Sequence, residues 1–138
     1  MAERPRDAAG RPVPAGSPLA VEPVPEQALP PSEALELARR LLQDGRPFFA
    51  HDVLEARWKR APPAERDLWQ GLAQVCVGLT HLQRDNAIGG VRLLRRGAGR
   101  LGDYAGPAYD VDVAAVSRQA LARADAVEHG CDGPAVVV

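Results

Sequence analysis

The stretch that decides the fold is ERDLWQGLAQVCVGLTHLQ, residues 65–83. Drawn as a helix it is apolar around most of its circumference, which is typical of a helix that is buried on several sides. It also carries Gln70, Gln74 and His81 within about 40° of one another on the helical wheel. We therefore predict a central helix whose polar stripe meets polar groups of a neighbouring helix, because buried amides and imidazoles need partners.

Four further helices are predicted around this central one. Helical spacing of apolar residues recurs over residues 32–45, 47–60, 86–102 and 111–130. Ser32 is expected to cap the first of them, and Gly45 and Gly130 are expected to end the first and the last. Because no strand or hairpin pattern interrupts these segments, the fold class is predicted to be all-α. We predict a compact bundle of about five helices that forms a single domain over residues 32–130.

The fourth predicted helix separates small residues from basic ones. Its glycines and alanines gather on one side, and we expect them to pack closely against the central helix, which offsets a propensity cost of roughly 1 kcal/mol per glycine. The opposite side is basic and consists of Arg92, Arg95, Arg96 and Arg100. It is interpreted either as a solvated face or as a surface for an acidic protein or a phosphate backbone.

The two ends of the chain lack a helical pattern. Residues 1–31 hold eight of the 13 prolines and little apolar surface, so they are predicted to be a disordered Pro-rich tail. Residues 131–138 are predicted to be a frayed C-terminus.

Composition narrows the location and the partners. A formal net charge of -1, from 17 basic and 18 acidic residues, disfavours nucleic acid and anionic membranes as partners. No apolar run approaches the roughly 18 residues of a membrane span. The two cysteines are far apart and form no metal or disulfide motif, so a cytoplasmic location is predicted.

The segment FFAHDVLEARW, residues 48–58, supplies the candidate site. His51 and Glu55 lie about 40° apart on the wheel, between large apolar side chains that normally turn inward. Because an unpaired buried charge is costly, we predict that both residues meet the polar stripe of the central helix. The predicted cluster consists of His51, Glu55, Gln70, Gln74 and His81, with Asp52 at its rim.

Three uses of this cluster are considered. A metal site would use two histidines and one carboxylate to hold a divalent transition metal, either zinc, iron or manganese, and its ligands would be His51, Glu55 and His81. A metal-free ligand pocket would use the cluster as its polar floor, with walls formed by Phe48, Trp58 and Trp69. In the third use, the cluster only fixes the pairing of two helices, and the function lies at the surface, where the arginine-rich face of the fourth helix binds a protein or nucleic-acid partner.

No catalytic nucleophile or separate general base can be named, so the sequence leaves open whether the protein is an enzyme. Cys76, on the apolar central helix, is expected to be a buried small hydrophobe rather than a nucleophile.

Several motifs resemble domain-of-unknown-function family 309, a family of small helical proteins. They are HDVLE at 51–55 followed by Trp58, WQGLAQ at 69–74, His81, and RDNAIGG at 84–90, within a likeness over roughly residues 35–102. Asp52 stands where the family more often has glutamate, and Asp85 where it usually has glycine. The resemblance implies an all-helical fold and no established reaction, which leaves the partner, a small molecule or a protein, unidentified.

Overall fold

The computed structural model describes residues 5–138, in which five α-helices follow one another along the chain. They are α1 (Pro31–Gln43), α2 (Pro47–Arg60), α3 (Arg66–Gln83), α4 (Ala87–Gly102) and α5 (Val113–Glu128), and a short 3₁₀ turn, Pro63–Glu65, leads into α3. Outside the helices, one isolated antiparallel bridge joins Arg6 and Pro12. The predicted all-α fold of five helices is confirmed.

Local chemistry explains most of the helix ends. Asn86 caps α4, since its side-chain oxygen accepts a hydrogen bond from the Gly89 amide at 3.1 Å. Gly45 follows α1 with φ +70°, a left-handed conformation that glycine adopts at little cost. The expectation for Ser32 is wrong, because α1 starts at Pro31 and no side chain caps it. Proline suits that first position, where the missing N–H would have had no helical partner.

Each helix packs mainly against its neighbours in sequence, so α3 lies between α2 and α4, while α5 covers α4 and α1 covers α2. Short connections favour this arrangement because they bring consecutive helices together as antiparallel neighbours. The side chains of Trp69, Leu72, Val75 and Cys76 on α3 are fully buried. The structure therefore confirms the central position that was predicted for this helix.

Glycines set the distance between α3 and α4. A Cβ placed on Gly90 would lie 3.1 Å from the Gly78 carbonyl oxygen, and one on Gly97 would lie 2.9 Å from the Gly71 carbonyl oxygen. The backbones of the antiparallel helices α3 and α4 therefore lie close together at two positions, where Gly90 faces Gly78 and where Gly97 faces Gly71. This contact is the one that the glycines of the fourth predicted helix led us to expect.

Residues 5–30 contain no helix and lie against the bundle. Ala9 and Val13 are buried, and the guanidinium of Arg84 donates two hydrogen bonds to the Ala9 carbonyl, at 3.0 and 2.7 Å. Near the other end, Val136 is buried and the Val137 amide donates to the Gln119 side chain at 2.8 Å. The disorder expected at one end and the fraying expected at the other stay predictions.

Within residues 5–138, none of the helices has both the length and the apolar character that crossing a membrane requires.

Candidate functional site

A ladder of ionisable side chains runs along α2. His51 Nε2 lies 2.6 Å from Glu55 Oε2, and Lys59 Nζ lies 3.3 Å from the other oxygen of Glu55. On its second side the imidazole faces Asp52, with 3.5 Å between Nδ1 and Oδ1, an ion-pair distance rather than a hydrogen bond. Residues spaced four apart on a helix are neighbours, which explains why Glu55 meets both His51 and Lys59, whereas Asp52 directly follows His51 in the chain.

Exposure divides the ladder into two layers. The His51 side chain is only 20% exposed, whereas those of Asp52 and Glu55 are 42% and 35% exposed. The Nδ1 atom of His51 is shielded from solvent. The imidazole therefore lies beneath the two carboxylates and holds them at the surface, and it is not itself placed to meet a ligand.

The two carboxylates line a groove of about 970 Å³. One wall is the face of α2 from Phe48 to Arg60, and the other wall is the chain over residues 23–28. Carboxylates and cationic groups both line it. The acidic lining residues are Glu26, Asp52 and Glu55, and the basic ones are Arg6, Arg57, Lys59 and Arg60.

Two arginines of the bundle hold the second wall in place. Arg46 donates to the Glu22 carbonyl, and Arg57 donates to the Leu29 carbonyl at 3.2 Å. The Arg46 guanidinium also stacks over the Phe49 ring, 4.3 Å from its centroid. Because both bonds go to main-chain oxygens, they hold this segment without depending on its side chains.

Phe48 anchors the preceding part of the N-terminal segment. The guanidinium groups of Arg6 and Arg84 lie 5.3 and 5.4 Å from the centroid of its ring. A Cβ on Gly10 would lie 2.2 Å from the ring, so that only glycine fits there, and its φ of +80° also favours glycine. Phe48, which was expected to form a pocket wall, does line the groove, and its ring also packs against Arg6 and Gly10.

His51 and Glu55 contact each other, but among residues 5–138 no hydrogen bond joins either of them to Gln70, Gln74 or His81. Gln74 accepts from Arg100 of α4 at 3.3 Å, and Arg100 in turn pairs with Asp67 at 2.7 Å. His81 lies 3.1 Å from the side-chain amide of Asn86, at the turn into α4. Gln70 is partly buried on α3. The paired polar groups of α3 thus serve the contact with α4, whereas the ladder of ionisable side chains belongs to α2 alone.

The reason for this division lies in the glycines of α3. Gly71 and Gly78 turn towards α4, and the helical wheel places Gln74 close to the line that joins them. Two glycines seven residues apart also occur in α4, at Gly90 and Gly97. This repeated spacing was the sequence signal that could have indicated that the polar stripe of α3 faces α4 rather than α2.

The predicted metal set of His51, Glu55 and His81 is not assembled. Among residues 5–138, no three histidine, cysteine, aspartate or glutamate side chains are grouped so that they could hold a metal ion. His81 is committed to the α3–α4 turn, while His51 is held between two carboxylates of its own helix. The described residues therefore do not bring these three side chains together as the ligands of a zinc, iron or manganese ion.

The two tryptophans are not groove walls. Trp69 is fully buried, its indole Nε1 donates to Glu65 at 3.3 Å, and the ring of Tyr109 packs 5.8 Å away. Trp58 is partly buried and packs against the hydrophobic core. Large size and an apolar ring suit a core as well as a pocket, so residue type could not separate the two roles.

Two of the four arginines on the basic side of α4 make contacts within the bundle. Arg95 pairs with Asp125 and Glu128 of α5, and Arg100 is engaged with α3. Arg92 and Arg96 are exposed and have no ion-pair partner among residues 5–138. Two arginines without an ion-pair partner make a weaker binding surface for an acidic or phosphate partner than the four that the helical wheel suggested.

Cys76 and Cys131 should react differently with a thiol-disulfide exchange reagent. Burial raises the pKa of Cys76 to about 12, whereas Cys131 is exposed. Because the thiolate is the attacking species, titration at about pH 8 should count one reactive thiol in the native protein and two after unfolding. The Cys131→Ser variant should lose the native signal. Two rapidly reacting thiols in the folded wild type would contradict the burial of Cys76.

The same raised pKa has a consequence for stability. An unfolded cysteine ionises at its ordinary value of 9.0, so that above this pH unfolding of the chain releases a proton from Cys76. The stability that the neutral thiol contributes is complete below pH 9.0 and declines as the pH rises towards 12.

Comparison with known proteins supports the family resemblance. Residues 35–93 match the family model described as "Domain of unknown function (DUF309)", which confirms the likeness seen in the motifs. The chain is 42% identical over 48 residues to "Uncharacterized protein YpuF" of Bacillus subtilis (strain 168), a match that covers 34% of this chain and 28% of that protein. No solved structure matches the chain. The groove is thus built from α2, which lies inside the matched region, and from residues 23–28, which lie outside it.

Proposed function

We propose that this chain, whose residues 35–93 match an uncharacterised helical family, is a binding protein whose site is the groove along α2. Its ligand carries a positive and a negative group separated along its length. The observation that supports this proposal most directly is the order of charges on the groove wall formed by α2. Asp52 and Glu55 come first along the helix and Arg60 comes last, while Lys59 between them pairs with Glu55 and Arg57 donates to the Leu29 carbonyl.

Helix geometry turns this order into a spacing. Positions 52, 55, 56, 59 and 60 lie on one face of α2, because they recur at intervals of three and four residues. With a rise of about 1.5 Å per residue, Asp52 and Arg60 are about 12 Å apart along the helix axis. A ligand that satisfies both ends must therefore be extended and dipolar.

The size of the groove suits such a ligand. Its volume, about 970 Å³, lies near the upper end of the roughly 300–1,000 Å³ typical of ligand pockets. Phe48, Phe49 and Ala56 add apolar surface to the charged lining. His51 acts as a positioning residue, since it holds the carboxylates of Asp52 and Glu55 from beneath at 3.5 and 2.6 Å.

A linear eight-carbon ω-amino carboxylic acid is the simplest probe of this proposal. Titrated into the full chain at millimolar concentration, it should shift amide resonances of α2 and of residues 23–28 in NMR spectra. The diamine and the dicarboxylic acid of the same length should bind more weakly, because each leaves one end of the groove facing a like charge.

Arg60→Glu tests the basic end. An exposed charge contact contributes up to about 1 kcal/mol, so the variant should bind the amino acid about fivefold more weakly. Arg92→Glu is the matched control, since Arg92 is also an exposed helical arginine but lies outside the groove. Equal binding of the three probes, or equal loss in the two variants, would refute the proposed site.

A further inference from the structure

We propose that the protein has a second binding site, a small apolar pocket at the end of α3, and that its ligand is an aliphatic carboxylate. The pocket shares no lining residue with the groove along α2, so this inference does not depend on the proposed function. Two features support it. They are an apolar interior of limited size and an arginine beside that interior whose charge has no acidic partner within the described part of the chain.

Four parts of the chain meet around the pocket, which has a volume of about 310 Å³. They are the end of α1 with the turn that follows it, the end of α3, the second half of α5 and the C-terminal segment, residues 131–138. Gly45, Gln83 and Arg123 supply part of the lining. The other lining residues are all apolar: Leu42, Pro47, Leu79, Leu82, Ala135 and Val136. Such an interior favours a hydrocarbon chain, because each methylene group is stabilised when it leaves water.

Hydrogen bonds hold two of the pocket walls. Gln83 Nε2 donates to the Gly45 carbonyl at 2.7 Å, which ties the end of α3 to the turn between α1 and α2. The Val137 amide donates to Gln119 of α5 at 2.8 Å, and the neighbouring Val136 side chain is buried. The amide of Gln83 is thus already used by the protein, which leaves Arg123 as the polar group that a ligand would meet.

The Arg123 side chain is packed in place but keeps unused donors. A Cβ on Gly133 would lie 3.1 Å from Arg123 Cα and 3.3 Å from its Cδ, so the main chain of the C-terminal segment rests on this side chain. Nη1 donates to the Pro134 carbonyl at 3.2 Å, and Nε is shielded from solvent without an acceptor. Among residues 5–138, that carbonyl accepts the one hydrogen bond that the guanidinium donates, although it has five N–H groups. A planar cation with donors to spare suits a carboxylate.

Size and charge together define the ligand class. A water molecule occupies about 30 Å³ in the liquid, so the pocket offers room for about ten non-hydrogen atoms, the size of octanoate. The alkyl chain would lie among Leu42, Leu79 and Leu82, with the carboxylate on Arg123. A second charged group on the chain would be buried among leucines without a partner, which is costly, so a monocarboxylate is favoured over a dicarboxylate.

Octanoate and octan-1-ol, titrated into the full chain, test the inference. Octanoate should shift the methyl resonances of Leu42, Leu79, Leu82 and Val136 in NMR spectra, with a Kd in the millimolar range or below. Octan-1-ol, which has the same chain and no charge, should bind the same methyl groups about fivefold more weakly. Shifts that leave these methyl groups unchanged would overturn the proposed pocket.

Chain length tests the limited size. Affinity should rise from butanoate to octanoate and then level off at dodecanoate, because the pocket is filled and further methylene groups stay in water. Affinity that continues to rise by more than about tenfold between octanoate and dodecanoate would show binding to an open surface and would overturn the inference.

The Arg123→Gln variant tests the charge. It should bind octanoate about fivefold more weakly than the wild type and bind octan-1-ol equally well, since only the carboxylate uses the guanidinium. Arg118→Gln is the matched control, because Arg118 is an exposed arginine of the same helix that does not line the pocket. Equal losses for the acid and the alcohol in Arg123→Gln, or equal losses of octanoate binding in the two variants, would refute the role of Arg123.

Discussion

Replacement of Gly97 by alanine should lower the free energy of unfolding by about 2–4 kcal/mol, one of the two largest effects expected in this protein. The added Cβ would lie 2.8 Å from Val75 Cγ2, 2.9 Å from the Val75 amide nitrogen and 2.9 Å from the Gly71 carbonyl oxygen. Two of these three atoms belong to the backbone of α3, so no rotamer change relieves the contact. The helices α3 and α4 would have to move apart.

Separation of these helices would also disturb what surrounds them. The side chains of Leu72, Val75 and Leu94 are fully buried, and a wider interface would leave them less tightly packed. The pair formed by Gln74 and Arg100 crosses the same interface and would lengthen with it. The cost of one methyl group is therefore shared by many contacts.

Gly99→Ala is the matched control for this prediction. Gly99 lies on the same helix, is exposed, and has open space where a Cβ would be added. Alanine has a higher helix propensity than glycine, so this variant should be more stable than the wild type by about 0.5–1 kcal/mol. Urea denaturation followed by circular dichroism measures both variants. Changes of the same sign and size would show that the close approach of α3 and α4 is wrong.

Trp69→Ala should destabilise the protein by about 3–5 kcal/mol, the loss typical when a buried aromatic side chain is truncated. Trp69 is fully buried on the central helix, and its removal would also leave Glu65 and Tyr109 without the indole that they contact. Binding of the ω-amino acid probe per folded molecule should change little, because the indole does not line the groove.

Two further variants serve as controls for this prediction, Trp69→Phe for stability and Phe48→Ala for probe binding. The first keeps an aromatic ring in the core and loses only the outer part of the indole and its hydrogen bond, so its cost should be well below that of alanine. The second removes a groove wall and should weaken probe binding more than Trp69→Ala does. Normal stability combined with lost binding in Trp69→Ala would restore the sequence-based interpretation of Trp69 as a pocket wall.

Local patterns were sufficient for the helices and for the centre of the fold. Pro47 and the prolines at 62 and 63 mark the limits of α2, and Asn86 starts α4, because these residues act on the backbone within one or two turns. The burial of Cys76 followed from the apolar residues around it on the same helix. Each of these conclusions depends only on neighbours in the sequence.

The candidate site was predicted in part. The pairing of His51 with Glu55 lies within one turn of α2, so helical spacing alone could anticipate it. The wheel placed Gln74 and His81 on one stripe of α3, but it did not say which neighbouring helix that stripe would face. Composition marked residues 23–28 as part of a tail, and nothing local indicated that they would form a wall.

The sequence by itself determined five helices, the central place of α3 and the pairing of His51 with Glu55 on α2, since these depend on periodicity and on contacts within a turn. Only the tertiary structure decided that Gln74 meets Arg100 and that Arg46 and Arg57 hold the carbonyls of Glu22 and Leu29. A helix that packs against two others could be rotated about its axis without any change in its sequence pattern of apolar and polar residues. That rotation is set by the close approach of glycines on α3 and α4, and an arginine bond to a main-chain carbonyl leaves no trace in the residue that accepts it.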